Sequence, residues 1–129
     1  MPQTRVIFYR ESDGACPVWD WLKGLRVENQ KAYAKCLVRI RRLATVGHEL
    51  RRPEADLLRD GIYELRARLG TVQYRVLYFF HGQNVAILAH GLTKEGAVPG
   101  IEIDRAFIRK EAFMTEPRAH TFEGELADA

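Results

Sequence analysis

Apolar and polar positions alternate most clearly in the middle of the chain, between residues 61 and 90. Three segments there are rich in aromatic and β-branched residues, and short breaks that contain glycine separate them. The segments are residues 62–69, 72–80 and 85–90. This pattern is typical of strands joined by tight turns, so it predicts an antiparallel meander of two hairpins.

Turn lengths set the expected register of these three strands. If the first break, Gly-Thr, is a two-residue loop, Arg66 lies opposite Arg75. If the second break is also a two-residue loop, Arg75 lies opposite His90. The three side chains would then form one row across one face of the sheet. Arg68 would lie one step along on the same face.

Each face of the meander is expected to meet a different partner. The residues assigned to the face that packs on two helices are Tyr63, Leu65, Ala67, Val76, Tyr78, Ile87 and Ala89. The apolar residues assigned to the opposite face are Ile62, Leu77, Phe79, Ala86 and Leu88. Monomers rarely leave such a patch bare, so we expect a helix at about residues 101–113, or a partner protein, to cover it.

The N-terminal half contains one predicted strand, at residues 5–10, and two predicted helices. Pro17 suits the first turn of a helix, and apolar residues at spacings of three and four follow it. A longer helix is predicted over about residues 28–45. Its buried stripe is expected to consist of Tyr33, Cys36, Leu37, Ile40, Leu43 and Ala44. Residues 48–60 are predicted to be a connecting loop with room for a short turn of helix.

These elements predict an α+β fold, in which two N-terminal helices pack on a twisted antiparallel sheet and a C-terminal helix follows. At 129 residues the chain is long enough for one domain with one core. We place that domain at residues 1–114. Residues 115–129 are acidic and contain few apolar side chains, so they are predicted to form a mobile tail.

Composition argues against several classes of protein. No apolar run approaches the roughly 20 residues that a membrane helix needs. The N-terminus lacks a signal-peptide pattern, so we expect a cytoplasmic protein that does not contact a membrane. Cys16 and Cys36 are isolated, and the four histidines are scattered along the chain. We therefore expect neither a zinc site nor another metal or cofactor.

Candidate chemistry comes from the row of basic residues on the meander. Like charges directly opposite each other destabilise a sheet, so such a row is expected to receive a partner from outside. A phosphate is the simplest partner, because guanidinium groups bind two of its oxygens at once. The glycine-rich loop at residues 91–100 would bring Lys94 close to the row. The alternative is that Glu64 and the carboxylates of a covering helix neutralise the row.

A second group of basic residues follows the longer predicted helix at helical spacing. It consists of Lys31, Lys35, Arg39 and Arg42. Such a stripe can bind RNA phosphates, or it can simply form a solvated helix face. The spacing does not distinguish these two interpretations.

A family resemblance rests on residues of the meander and the segment that follows it. These are Tyr-Glu-Leu-Arg at 63–66, Tyr-Arg-Val-Leu-Tyr at 74–78, His-Gly-Leu-Thr-Lys at 90–94, and Pro99 with the helix start at 102–106. In combination they resemble the RelE/HigB superfamily of toxins from type II toxin-antitoxin systems. The likeness is greatest to its phage-derived HigB-like branch and covers about residues 6–113.

The resemblance implies a small RelE-like fold and a toxin that cleaves mRNA on the ribosome. It also implies a cognate antitoxin, in this branch usually a helix-turn-helix DNA-binding protein. Carried over by position, Arg66, Arg75, His90 and Lys94 match the basic catalytic positions of the family. Arg68 matches less closely and is assigned to substrate binding.

Such an endoribonuclease needs no metal ion, because the ribose 2′-hydroxyl attacks the adjacent phosphate. The arginines would stabilise the charge that develops on the phosphate oxygens. His90 is the acid/base candidate, since an ordinary histidine titrates near neutrality. Glu64 would act as a base or would orient the arginines. Two alternatives stay open: a non-catalytic RNA- or ribosome-binding module, and an inactive scaffold that binds an antitoxin.

Overall fold

The computed structural model describes residues 3–93 and 96–128. The strands are β1 (Arg5–Tyr9), β2 (Ala55–Arg59), β3 (Ile62–Leu69), β4 (Val72–His81), β5 (Val85–Thr93) and β6 (Thr121–Phe122). The helices are α1 (Pro17–Glu28), α2 (Gln30–Val46) and α3 (Gly100–Thr115). Short 3-10 turns lie at Gly47–Glu49 and Pro117–His120.

The described strands form one six-stranded sheet in the order β2-β3-β4-β5-β1-β6. β1 runs parallel to β5, and the other neighbouring strands are antiparallel. α1 and α2 pack on one face of the sheet, and α3 packs on the other. The predicted α+β fold, with two N-terminal helices and a C-terminal helix, is therefore confirmed.

α2 begins and ends where local chemistry favours it. The Asn29 side chain accepts a hydrogen bond from the Ala32 N–H at 3.1 Å, which caps the first turn. Gly47 ends the helix with a φ of +63°, and a Cβ at that position would overlap the Thr4 hydroxyl. The stripe predicted to be buried contacts the sheet, although Ala44 is only half-buried.

The first hairpin has the predicted register, with Arg66 opposite Arg75. The predicted register of the second hairpin was wrong for two reasons. Its loop is three residues long, since His81 pairs with Val85. β5 also contains a bulge at Ala89, because the pairing shifts by one residue between Leu77 and Tyr78 on β4. These two shifts together move β5 by two residues relative to β4.

The longer loop reverses the faces predicted for the first part of β5, because side chains alternate with a period of two. Ala86 and Leu88 lie in the core beneath α1 and α2, whereas Ile87 and Ala89 lie beneath α3. The bulge then reverses the alternation a second time. His90 consequently returns to the predicted face, opposite Leu77 rather than Arg75.

Residues 55–59, predicted to be loop, form the edge strand β2. Ala55 pairs with Leu65 and Asp56 pairs with Glu64 on β3. The missed strand is short, and it begins soon after Pro53, a residue that favours turns. Its alternation is also too brief to stand out from a loop, so pairing with β3 decides its conformation.

The prediction that a C-terminal helix covers the second face is confirmed. Ile103, Ala106 and Phe113 of α3 are buried against apolar residues of the sheet. The rings of Phe79 and Phe113 meet edge to face with their centroids 5.5 Å apart. Among the described residues, no helix has the length and apolarity required to cross a membrane.

The segment predicted to be a mobile tail makes several contacts in this structure. Thr121 and Phe122 pair with β1, and His120 is 8% exposed. The ring of His120 stacks on that of Tyr9 at a centroid distance of 5.1 Å. The mobility of residues 115–129 stays a prediction.

Candidate nucleic-acid interface

Two arginines and one carboxylate form a compact triad on the α3 side of the sheet. The carboxylate of Glu64 lies 3.0 Å from Arg66 Nε and 3.5 Å from Arg75 Nε. The side chains of Glu64 and Arg75 are 6% and 8% exposed, and that of Arg66 is 28% exposed. Within the triad one carboxylate serves two guanidinium groups, so the triad itself carries a net charge of +1.

The sequence left two interpretations of this row, and the geometry supports part of each. Glu64 does neutralise part of the row, as the ion-pair alternative expected. The shared carboxylate also attracts both guanidinium groups to one point between the two strands, since each forms an ion pair with it. The pair of arginines is therefore pre-organised.

A second ion pair lies beside the triad on β2. Asp56 pairs with Glu64 across the two strands, which places two carboxylates opposite each other. Arg52 Nη2 lies 2.7 Å from the Asp56 carboxylate, and Arg52 Nε donates a hydrogen bond to it at 2.9 Å. This hydrogen bond holds the pKa of Asp56 below its ordinary value, so Asp56 is ionised at neutral pH.

β2 leaves the edge of β3 next to the triad, and α2 reaches that edge. β2 pairs with β3 as far as Leu65, and the Arg66 N–H still donates to the Glu54 carbonyl at 2.8 Å. Arg39 Nε donates to the Arg66 carbonyl at 2.9 Å. Glu54 also holds the side chains of Arg39 and Arg42, at 2.8 Å and 3.1 Å. Hydrogen bonding from Arg42 lowers the pKa of Glu54.

Two adjoining concavities of about 220 Å³ each surround this edge. We call them together the arginine groove, which is defined by Lys35, Arg39, Arg66, Arg68 and Gln73. Each is smaller than a typical small-molecule pocket. Both are shallow and open to solvent, so they do not enclose a ligand.

His90 lies apart from the arginine row, in a separate network on β5 and α3. Its Nε2 is in close hydrogen-bonding contact with the carboxylate of Glu102. Arg109 Nη1 lies 3.0 Å from His90 Nδ1 and donates to the Ala89 carbonyl at 2.7 Å. Arg109 Nε also lies 3.0 Å from a carboxylate oxygen of Glu11.

This network fixes the tautomer of neutral His90. A guanidinium group only donates hydrogen bonds, so Nδ1 must be the acceptor and Nε2 must carry the proton that is donated to Glu102. Burial lowers the pKa of His90, against the opposing effect of Glu102. In this arrangement both ring nitrogens are occupied, and the lone pair of His90 is not available to a substrate.

The other predicted site residues fall into three groups. Arg68 and Lys35 line the arginine groove, and Arg68 Nε also donates to the Gly70 carbonyl at 2.7 Å. Lys31 is exposed on the first turn of α2 and lines neither concavity of the groove. Lys94 lies outside the described residues.

Sequence reasoning missed Glu54 and Arg109 as partners of the predicted residues, and it expected carboxylates from a covering helix without identifying Glu102. One available signal was the seven-residue spacing of Glu102 and Arg109, which places them on one face of a helix. No local signal identified Glu54, because it lies in the segment that was predicted to be loop.

Comparison with known proteins identifies the family of the chain. A search of curated proteins found no match to the chain. The family model described as "Phage derived protein Gp49-like (DUF891)" matches residues 20–111. This match includes most of α1, all of α2, strands β2 to β5 and most of α3. The chain belongs to the Gp49-like phage-derived protein family, and thereby to the RelE/HigB-type toxin superfamily.

Proposed function

We propose that this protein is the toxin of a type II toxin-antitoxin system and that it cleaves mRNA without a metal ion. The observation that carries the proposal is the pair of arginines held side by side by Glu64 next to an open basic groove. Two guanidinium groups fixed in this way match the several oxygens of one phosphate. Membership of a toxin family supports the same conclusion.

In the proposed reaction the ribose 2′-hydroxyl attacks the adjacent phosphorus and the 5′-oxygen leaves. Negative charge then grows on the non-bridging phosphate oxygens, where Arg66 and Arg75 donate hydrogen bonds. A pre-organised donor of this kind typically lowers a barrier by about 3 kcal/mol. Glu64 acts as the residue that orients the two arginines, since its carboxylate contacts both.

Proton transfer requires an acid/base group, and His90 is the proposed one. Arg109 has to release Nδ1, or Glu102 has to release Nε2, before His90 can exchange a proton with substrate. Burial favours the neutral ring by lowering the pKa of His90, and the neutral ring is the form that accepts a proton. Lys94 is proposed to hold a phosphate that flanks the cleaved bond.

The arginine groove is proposed to hold the phosphates that flank the scissile bond. Lys35 lines one concavity of the groove, and Arg39 and Arg68 line both. Lys31 and Arg42 extend this basic surface along α2. The substrate is proposed to be mRNA on the ribosome, in the cytoplasm. The partner is a cognate antitoxin of the helix-turn-helix class, as expected for a HigB-like toxin.

The test compares wild type, Arg66→Ala and Arg118→Ala in a cell-free translation reaction with a defined transcript. Arg118 is exposed and distant from the groove in sequence and fold, so it controls for the loss of one positive charge. Primer extension locates the cuts, and end-group analysis identifies the products. We expect cleavage by wild type and Arg118→Ala, with 5′-hydroxyl ends, and at least a hundredfold slower cleavage by Arg66→Ala.

Three outcomes count against this function. An intact transcript with folded wild-type protein excludes cleavage under these conditions of translation. Equal cleavage by Arg66→Ala removes the arginine pair from the mechanism. Products with 5′-phosphate ends contradict attack by the 2′-hydroxyl and indicate attack by water instead.

A second candidate function is binding without cleavage. The observation that favours it is that both ring nitrogens of His90, the proposed acid/base group, are occupied by other side chains. Such a protein would bind RNA or the ribosome, or would bind only its antitoxin. It would protect a transcript from an added ribonuclease and leave its length unchanged, and Arg66→Ala would lose that protection.

A further inference from the structure

A cavity of about 480 Å³ with both apolar and charged lining lies between β1, α2 and the C-terminal residues. Its apolar lining on the body of the protein comes from Val6, Phe8, Leu37, Ile40 and Ala44. We call residues 121–128 the C-terminal strap. The strap forms the remaining wall, with Leu126 half-buried against the apolar core. The space shows that the strap spans this cavity without filling it.

Few contacts hold the strap beyond β6. The Tyr33 hydroxyl donates to the Ala127 carbonyl at 2.5 Å. Arg41 pairs closely with Asp128, and Arg5 Nε donates to Glu123 at 3.0 Å. The side chains of both ion pairs are more than half exposed. Exposed ion pairs contribute little to stability, so these two pairs hold the strap only weakly.

The edge of β1 next to this cavity is paired over only part of its length. The ladder with β6 consists of Phe8 with Phe122 and Tyr9 with Thr121. Arg5, Val6 and Ile7 continue β1 beyond that ladder, on the side where the strap runs. An edge with unpaired backbone groups can accept an extended peptide as an additional strand.

We propose that this cavity and the adjoining edge of β1 form the docking site for an acidic, extended segment of the antitoxin. The strap occupies the site in the free protein and indicates the chemistry that the site accepts. An apolar side chain enters the cavity as Leu126 does, and carboxylates bind Arg5 and Arg41 as Glu123 and Asp128 do. That the peptide comes from an antitoxin rests on the proposed function. That the site binds an acidic, extended peptide does not depend on it.

A covalently attached strap competes with any peptide that is added in solution, because its effective concentration is high. Weakening the strap should therefore strengthen binding of the added peptide. Replacing Leu126 by alanine removes apolar contacts from the strap and leaves the site on the body of the protein intact. A loss of those contacts corresponds to about a tenfold change in an equilibrium constant.

The probe is a fluorescein-labelled synthetic peptide with the sequence of residues 121–128, and binding is measured by polarisation. We expect the full-length Leu126→Ala protein to bind it about tenfold more tightly than wild type. Adding Arg41→Glu should then weaken binding about tenfold or more, because it repels the probe's terminal carboxylates. Lys23→Glu in the same background makes the same charge change on exposed α1 and should leave binding unchanged.

Circular dichroism establishes whether each variant is folded. If Leu126→Ala unfolds, the double variant Glu123→Gln/Asp128→Asn takes its place in the same assay. That double variant weakens only the polar contacts of the strap. Equal binding by wild type and the strap variant overturns the proposal, as does equal weakening by Arg41→Glu and Lys23→Glu. A stable dimer of the strap variant, detected by light scattering, also overturns it, because a second copy would then be the occupant.

The antitoxin is tested separately by its capture on immobilised toxin. Arg41→Glu should reduce retention of the antitoxin encoded beside this protein, and Lys23→Glu should not. Unchanged retention of that protein by Arg41→Glu contradicts the antitoxin as occupant. These binding assays use no RNA, so their failure is distinct from a failure to cleave transcripts.

Discussion

Arg66 on β3 lies directly opposite Arg75 on β4, although like charges at such positions destabilise a sheet. The carboxylate of Glu64 contacts both side chains and reduces their repulsion. The same contacts hold the two guanidinium groups beside a groove that already contains Arg68. A basic site is thus assembled within the first hairpin, where its geometry depends on a single turn.

Replacing Glu64 by glutamine should destabilise the fold. The two arginines would face each other without the shared carboxylate, and Arg75 is only 7% exposed. Breaking a buried ion pair of this kind typically lowers the free energy of unfolding by about 3 kcal/mol. Urea denaturation of Glu64→Gln and of the exposed control Glu28→Gln measures this change. A midpoint for Glu64→Gln equal to that of the control would contradict the structural role of Glu64.

Phosphate should partly restore the stability of Glu64→Gln. An anion that binds the arginine pair of the folded state adds to the free energy of unfolding as its concentration rises. We expect a larger gain in midpoint for Glu64→Gln than for wild type when phosphate replaces chloride at constant ionic strength. Equal gains for both proteins would show that the anion does not bind at this pair.

Replacing Arg68 by alanine should reduce the salt dependence of RNA binding. A contact with one phosphate of single-stranded RNA contributes about 0.7 to the slope of log K against log salt concentration. We therefore expect the slope to fall by about 0.7 for Arg68→Ala and to stay constant for the exposed control Arg118→Ala. Filter binding of a labelled single-stranded RNA at several salt concentrations measures both slopes. An unchanged slope for Arg68→Ala would remove this residue from the proposed interface.

The stability of the protein should decrease as the pH falls from about 7 to 5, in part because of His90. Burial lowers the pKa of His90 below the value of about 6.5 expected in the unfolded chain. Between these two values the unfolded chain binds more protons than the folded protein, so acid favours unfolding. Glu102, whose pKa is lowered by its hydrogen bond with His90, loses its contribution only at more acidic pH.

His90→Gln isolates this effect, because the other three histidines are present in both proteins. The free energy of unfolding of wild type should fall more steeply than that of His90→Gln between pH 7 and pH 5. Urea denaturation at intervals of half a pH unit measures the difference. Parallel curves would contradict the lowered pKa of His90.

Gly91 should tolerate no larger side chain. A Cβ at this position would lie 2.6 Å from Cδ2 of the Trp21 ring, which packs directly on β5. Gly91→Ala must displace that ring, and such overpacking typically lowers the free energy of unfolding by about 1–3 kcal/mol. Denaturation followed by tryptophan fluorescence checks this, with Gly24→Ala as control, because a Cβ at Gly24 contacts nothing within 4 Å. Equal stability of the two variants would contradict the packing of Trp21 on Gly91.

Much of the sheet's second half could not be predicted from the sequence. The number of residues in the loop after β4 changes which face each side chain of β5 occupies, and the local sequence permits either a two- or a three-residue loop. Packing beneath α3 places Ile87 on the α3 face of the sheet. The bulge at Ala89 then places His90 on the same face. The strand β2 was missed for a similar reason, since its conformation depends on pairing with β3.

The sequence alone determined the features that depend on short-range geometry. The stripe of α2 follows from the period of a helix, and the pairing of Arg66 with Arg75 follows from one two-residue turn. Only the tertiary structure decided which charges meet, because those contacts join elements that are distant in the chain. Glu54 reaches Arg39, and Glu102 with Arg109 occupies both nitrogens of His90. Side-chain type and spacing specify what each residue can bind, whereas the packing of α2 and α3 on the sheet specifies the partner it has.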